Sequence, residues 1–305
     1  MIQHNRAAQV TAVALLSIFW AVNWPIMKIG LTTIEPWAFR SGTALGGGVG
    51  SLLVAYLLGH RIRVPRGEWI PLLWLGLFQG YLWNACSILG LSEIEAGRAT
   101  VLAFSMPVWA TLGSVIFLGE RVTPRRILGL VLGMLAMALL VLPSIDAVAT
   151  QSFGAFLMIC AAMSWATATI VAKGSSWSVT PLVINGWLLC IGAPGIILTA
   201  TLAGRPETLL SASAVSLLCL AFAALIPMIF CQAVYFAMVR LLPPSIASMG
   251  TLMVPPLGVF FSALMLGEPV GLTEVTALVL VALAMLMILP GFDLVGRISR
   301  LARGR

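Results

Sequence analysis

The chain has 305 residues, of which 60% are hydrophobic and only 9% charged, with a mean hydropathy of +1.06. Soluble domains carry about 25% charged residues, so a water-soluble fold is excluded, as are disordered and fibrous chains. The net charge of +7 has no soluble surface to sit on, and its basic residues lack the interleaved aromatics of a nucleic-acid interface.

Charged residues fall in clusters, and the stretches between them mark ten spans in chain order. The first five run from Arg6 to Lys28, Arg40 to Arg61, Glu68 to Glu93, Arg98 to Glu120 and Arg126 to Asp146. The second five run from Asp146 to Lys173, Lys173 to Arg205, Glu207 to Arg240, Arg240 to Glu268 and Glu274 to Asp293. Each is long enough to cross a hydrocarbon core of about 30 Å, which takes about 20 helical residues. Lipid offers backbone groups no water partner, so such runs are expected to be helices; barrel strands would be half as long and would alternate polar with apolar. The first span is expected to be a retained helix rather than a signal peptide, because no small-residue cleavage site follows it and Trp20, Asn23 and Trp24 interrupt its apolar run. The five cysteines all lie within spans, without CxxC spacing, and read as small packing residues. The short links leave no room for a soluble domain.

Orientation follows from lysine and arginine. If the spans alternate, one side collects 13 basic residues, namely Arg6, Arg61, Arg63, Arg66, Arg121, Arg125, Arg126, Lys173, Arg240, Arg297, Arg300, Arg303 and Arg305. The other side holds Lys28, Arg40, Arg98 and Arg205. The positive-inside rule then places both termini, including the basic C-terminal tail, in the cytoplasm, facing anionic headgroups.

The chain also contains itself twice. A shift of 145 residues aligns Trp20 with Trp165, Lys28 with Lys173, Pro36 with Pro181 and Arg40 with Asn185. A shift of 148 aligns Asn84 with Gln232, Pro107 with Pro255, and Gly119-Glu120 with Gly267-Glu268. Residues 1–146 and 147–305 are therefore read as two repeats of five spans each. An odd number of spans makes the second repeat enter from the opposite side, so the expected architecture is an all-α polytopic membrane protein of ten helices in two inverted halves. Inverted repeats are the signature of secondary transporters, with the solute site near the midplane at the repeat interface; some channels also have inverted halves, so the pattern points to transport more strongly than to a carrier over a pore.

The Trp-x-x-Asn-Trp-Pro of the first span, Pro107 and Pro255 in spans 4 and 9, the Leu-Gly-Glu that follows each, and the five-plus-five arrangement resemble the drug/metabolite transporter superfamily. More narrowly, the chain is similar to EamA-type ten-span exporters and to their aromatic-amino-acid exporter branch. The resemblance implies export, and a cavity surrounded by spans 1 to 4 and 6 to 9 with spans 5 and 10 peripheral.

Polar side chains in lipid face the bundle interior and so outline a pathway. Candidate solute-binding residues are Trp20, Asn23 and Trp24 on span 1; Gln79, Trp83 and Asn84 on span 3; Trp109, four residues from Ser105, on span 4; Trp165 on span 6; and Gln232 and Tyr235 on span 8. Residues three or four apart share a helix face. The competing reading is helix-to-helix glue for the amides and interfacial belts for the aromatics, which fits Trp37, Trp69, Trp74 and Trp177 near span ends. Pro107, Pro227 and Pro255 are interior to their spans, where each removes a backbone bond, and are hinge candidates. Gly42, Gly46 and Gly50, like Gly129 and Gly133, read as close helix-packing faces.

Apart from charges at span ends, no ionisable residue is expected deep in a span; His4 and His60 lie outside the membrane. That absence favours neutral or zwitterionic, partly apolar solutes. It argues against a proton relay, and against organic anions, which would want a deep lysine or arginine. The chain lacks HExxH, GxSxG, metal-ligand spacing and a carboxylate pair, so no enzyme activity, cofactor or metal is expected. The expected partners are a small-molecule substrate and the lipid bilayer, with no nucleic acid. The reading is a secondary transporter of amphipathic metabolites, amino acids including aromatic ones, in a bacterial inner membrane. A drug or nucleotide-related carrier of the same fold is the alternative within transport, and an intramembrane enzyme or receptor the alternative outside it.

Overall fold

A computed structural model describes residues 6–141, 152–241, 253–267 and 271–288, together with Ala247 and Thr251. The proposed join at Asp146 to Gln151, Glu268 and the basic tail lie outside the described residues.

Every regular element among the described residues is helical. The order is α1 (Arg6–Gly30), α2 (Pro36–Leu57), α3 (Trp69–Leu75), a π-helical segment (Gly76–Leu82), α4 (Trp83–Glu93), α5 (Ala96–Ala103), α6 (Met106–Leu118) and α7 (Pro124–Val141). It continues with α8 (Ser152–Gly174), α9 (Pro181–Ala203), α10 (Ala214–Leu225), a second π-helical segment (Ile226–Cys231), α11 (Gln232–Leu241), α12 (Val254–Leu266) and α13 (Leu272–Ile288). The chain is thus an all-α polytopic membrane protein. Four stretches, Arg66–Glu93, Phe153–Gly174, Pro181–Ala203 and Ala214–Leu241, are continuous, long and apolar enough to cross a bilayer.

The expectation of ten unbroken spans needs correction at span 4. It is split between α5 and α6 at Phe104 and Ser105. α6 has 13 residues, about 20 Å at 1.5 Å per residue, too short to cross alone. Pro107 explains the break differently from a kink. It sits in the first turn of α6, where the backbone N–H it lacks would have no helical partner anyway. Pro255 holds the same place in α12, and Pro227 the second position of the π segment. Pro107 and Pro255 thus open helical segments, whereas Pro227 lies inside the continuous stretch Ala214–Leu241, at its switch from α to π geometry.

Several features of the described residues recur at the offsets seen in the sequence. π segments occupy matching positions in spans 3 and 8. α6 and α12 both end on a left-handed glycine, Gly119 at φ 65° and Gly267 at φ 71°, the conformation glycine adopts without a Cβ clash. α2 packs on α9, its repeat counterpart. The Gly42, Gly46 and Gly50 face meets α10 and the adjoining π segment, because a Cβ there would lie 2.9 Å from Leu220, 3.4 Å from Ala224 and 2.6 Å from Ile229. α7 and α13 pack mainly on one another, with Gly129, Gly133 and Ala136 buried on α7 and Ala277 and Ala284 on α13. They are the peripheral pair that the family resemblance implied.

Candidate functional site: an aromatic cavity with a buried arginine

π helices replace i→i+4 bonds by i→i+5 bonds and leave backbone carbonyls out of register. Here side chains take them. The Ser164 hydroxyl donates to the Phe78 carbonyl, and Asn185 Nδ2 donates to the Met228 carbonyl at 2.6 Å and to Ser51 Oγ at 2.9 Å. Asn84 Nδ2 donates to the carbonyls of Gln79 and Gly80 at 2.8 and 2.9 Å. These bonds fix the irregular turns of spans 3 and 8, and those turns aim side chains into the space between the repeats.

That space is a cavity of about 40 Å³, room for a few water molecules. α1 contributes Trp20, Asn23, Trp24 and Met27; α4 contributes Trp83 and Ser87; α8 contributes Trp165. Phe104 and Met106 reach it from the break in span 4, and Pro227, Met228 and Gln232 from span 8. α2 adds one charged residue, Arg40. The aromatic wall is a single cluster. Trp165 makes edge contacts with Trp83 at 4.6 Å, Tyr235 at 5.2 Å and Trp20 at 5.5 Å between ring centroids. Trp20 and Trp165 are repeat partners, so the two halves meet through equivalent indoles. Such edge-to-face pairs add about 0.5–1.5 kcal/mol each beyond area burial. Trp165 Nε1 is buried and has no hydrogen-bond partner.

Of the residues singled out from the sequence, Trp20, Asn23, Trp24, Trp83, Trp165 and Gln232 line the cavity, as does Pro227. Four others do not line it. Asn84 is fully buried and its amide is committed to its own backbone. Gln79 is buried behind the wall and donates from Nε2 to Gln232 Oε1 at 2.9 Å, tying span 3 to span 8. Tyr235 is buried in the aromatic cluster with its hydroxyl 2.7 Å from Thr169 Oγ1. Trp109 is half-buried off the wall, and its indole N–H donates to Ser105 Oγ at 3.3 Å, bracing the break in span 4. Pro107 and Pro255 open α6 and α12 beyond the cavity wall.

The larger correction is Arg40. The sequence reading placed it at a span end, yet it is only 2% exposed and faces the cavity. Its Nη2 donates to Ser87 Oγ at 3.3 Å and lies 3.7 Å from Met27 Sδ, while Nε has no partner. Asn23 Nδ2 converges on the same sulfur at 3.3 Å, and Asn23 Oδ1 is unpartnered. Helix capping explains the depth. Glu35 caps α2, its carboxylate accepting from the Ala38 N–H at 2.9 Å, and Pro36 fills the first turn. Arg40 therefore starts a turn inside the helix. Its repeat partner is the neutral Asn185, so the pseudo-symmetry is broken at one charge.

The ends of the bundle are tied by a second pair of repeat partners. Lys28, in the last turn of α1, donates to the carbonyls of Leu91 and Ile94 at 2.8 and 3.0 Å, at the end of α4. Lys173, in the last turn of α8, donates to the Arg240 carbonyl at 3.2 Å, at the end of α11. Each cation meets the negative end of a helix dipole, and the two ties sit at related places in the two halves.

Comparison with known proteins identifies the family and the fold. Residues 8–142 and 152–289 each match the EamA-like transporter family. The chain is 24% identical over 277 residues to the uncharacterized transporter YoaV of Bacillus subtilis, covering 89% of this chain and 93% of that one. It is 24% identical over 301 residues to a probable amino-acid metabolite efflux pump of Salmonella typhimurium, covering 95% and 96%. A crystal structure at 16% identity superposes with a TM-score of 0.73 over 93% of this chain and 96% of the other, so the fold is shared.

Proposed function

The chain belongs to the EamA-like transporter family, and from that premise we propose that it exports amino acids and similar amphipathic metabolites, aromatic ones included, across a bacterial inner membrane by alternating access. The observation that carries this reading is the cavity between the repeats, walled by Trp20, Trp83 and Trp165 and edged by Asn23 and Gln232. Aromatic faces supply contact area to a partly apolar solute, while a few polar groups orient it. The efflux pump of Salmonella typhimurium, similar over nearly its whole length, supports export and an amino-acid-like solute.

Counterflow in proteoliposomes tests the proposal. Vesicles preloaded with unlabelled tryptophan should accumulate labelled tryptophan and phenylalanine saturably and chemically unaltered. No uptake of any aromatic or aliphatic amino acid, or recovery of altered solute, overturns it. The same vesicles report coupling. Among the described residues Arg40 is the one ionisable side chain lining the cavity, and a guanidinium does not release its proton in proteins, so flux is expected to follow the solute gradient or exchange, with little response to an imposed pH gradient. Uphill accumulation driven by a pH gradient alone would show a proton site elsewhere; Glu120, 3.2 Å from Arg126, is the first place to look.

The orientation proposed here places both termini in the cytoplasm. In a variant whose five native cysteines are replaced, a cysteine at the exposed Leu210 should label in intact cells with an impermeant maleimide, and one at the exposed His60 only after disruption. The opposite pattern reverses the topology.

A further inference from the structure

We propose that Arg40 is the binding site for a carboxylate of the transported solute, so that the carrier selects compounds by their anionic end as well as by their aromatic body. The inference rests on the functional reading above and narrows its substrate class.

The argument begins with cost. An ionised group in the low-dielectric interior of a membrane protein is expensive unless paired. Arg40 is 2% exposed, and among the described residues no carboxylate pairs with it. Its Nη2 has only a hydroxyl at 3.3 Å and a thioether sulfur at 3.7 Å, and Nε has nothing. A guanidinium presents five donors in a planar fork matched to a carboxylate, so most of its bonding capacity is unspent. Those donors border the cavity, and both partners of Nη2, Ser87 and Met27, line it too. The structure thus holds a buried cation, geometrically suited to two parallel N–H···O bonds, at the wall of the only large aromatic cluster among the described residues. A helix-to-helix staple would instead have satisfied the guanidinium with carbonyls, as Arg240 does. Its Nη1 and Nη2 donate to the carbonyls of Val179 and Trp177 at 2.9 and 3.0 Å.

Position adds polarity to the site. Asn185 occupies the related place in the second repeat and donates to Ser51 and to the Met228 carbonyl. Asn185 does not line the cavity, so the charge of Arg40 has no counterpart on the opposite wall, and a solute with one anionic end binds in one orientation. Asn23 Oδ1, buried beside the same thioether and without a partner, is the nearby acceptor for an ammonium. A zwitterionic amino acid satisfies both groups.

Three labelled probes separate the parts of this claim on the purified full-length protein, by scintillation-proximity binding. Tryptophan carries both ends, indole-3-propionate lacks the amine, and tryptamine lacks the carboxylate. On the unmodified protein tryptophan and indole-3-propionate should bind about ten- to a hundredfold more tightly than tryptamine, the range expected for hydrogen bonds to a charged group. In Arg40→Gln the tryptophan-to-tryptamine ratio should collapse toward one. Arg40→Lys, which keeps the charge but not the fork, should fall between them. Should Arg40→Gln fail to fold, the ratio on the unmodified protein and on Arg40→Lys still decides. Equal binding of tryptamine and tryptophan, or an unaltered ratio in Arg40→Gln, overturns the assignment while leaving the aromatic-solute reading intact. Binding of none of the three overturns both.

Discussion

Gly192→Val is expected to yield no folded protein. Gly192 lies on α9 where that helix crosses the π segment of span 3. A Cβ at this position would lie 2.1 Å from the Gly80 carbonyl carbon and 2.4 Å from its oxygen. The reciprocal Cβ on Gly80 would lie 2.2 Å from the Leu188 carbonyl oxygen. Carbon contacts are comfortable at about 3.5 Å, so even one methyl forces two backbones apart by more than about 1 Å. Neither neighbour is a flexible side chain that can swing away. The displaced π segment would lose its bonds to Gln232, through Gln79, and to the Ser164 hydroxyl, through the Phe78 carbonyl, so the cost exceeds the roughly 1–3 kcal/mol typical of overpacking. Gly46 is the control. Its Cβ would meet Ala224 at 3.4 Å, an ordinary contact, and Gly46→Ala should give near-normal monodisperse yield by size-exclusion chromatography. A normal yield from Gly192→Val would show that α9 and the π segment of span 3 do not cross this closely.

The crossing has a counterpart at the offset read from residue spacing. The shift of 145 pairs Gly192 with Gly47, and Gly47 meets Met228 as Gly192 meets Gly80, its Cβ lying 2.5 Å from Met228 Cβ. Helical fold and aromatic wall were likewise legible, because hydropathy and the Trp20–Trp165 pairing both survive as simple offsets. What sequence reasoning missed traces to local backbone departures from the α-helix. Face assignment by steps of three and four assumes i→i+4 bonding; across Gly76–Leu82 the bonding is i→i+5. Gln79 and Asn84 consequently turn away from the cavity, and Asn84 serves the carbonyls this irregularity frees. Trp109 was misplaced for a related reason: the break at Phe104 and Ser105 restarts the helix, and the indole N–H is used on Ser105.

Arg40 was misread on different grounds. Counting charge to charge treats every arginine as a boundary marker, whereas α2 begins at Pro36. The signal was present in the Glu35-Pro36 pair, a cap followed by a first-turn proline, which places the helix start a full turn ahead of the arginine. Read that way, the second span carries an intramembrane cation, and such a residue is by default a candidate functional site.

Trp165 is where the loss of one side chain should cost transport most. Trp165→Ala removes three ring contacts, at 4.6, 5.2 and 5.5 Å, that join α8 to α4, α11 and α1. Truncation of a buried tryptophan costs about 3–5 kcal/mol, and the same rings form the wall against which a solute would lie, so flux should fall more than about tenfold, with a lower Tm. Trp165→Phe separates packing from recognition. It keeps an aromatic ring and removes Nε1, a buried donor with no partner. In the solute-free protein that change relieves an unsatisfied group, so the Tm should drop far less than in Trp165→Ala. If Nε1 donates to the bound solute, losing one neutral hydrogen bond, worth about 0.5–1.5 kcal/mol, raises KM for tryptophan counterflow about two- to tenfold at nearly constant maximal rate. Thermal unfolding in detergent and counterflow in vesicles read the two effects independently. Wild-type KM in Trp165→Phe would assign the residue to packing alone, and wild-type flux in Trp165→Ala would move the solute path away from the aromatic cluster altogether.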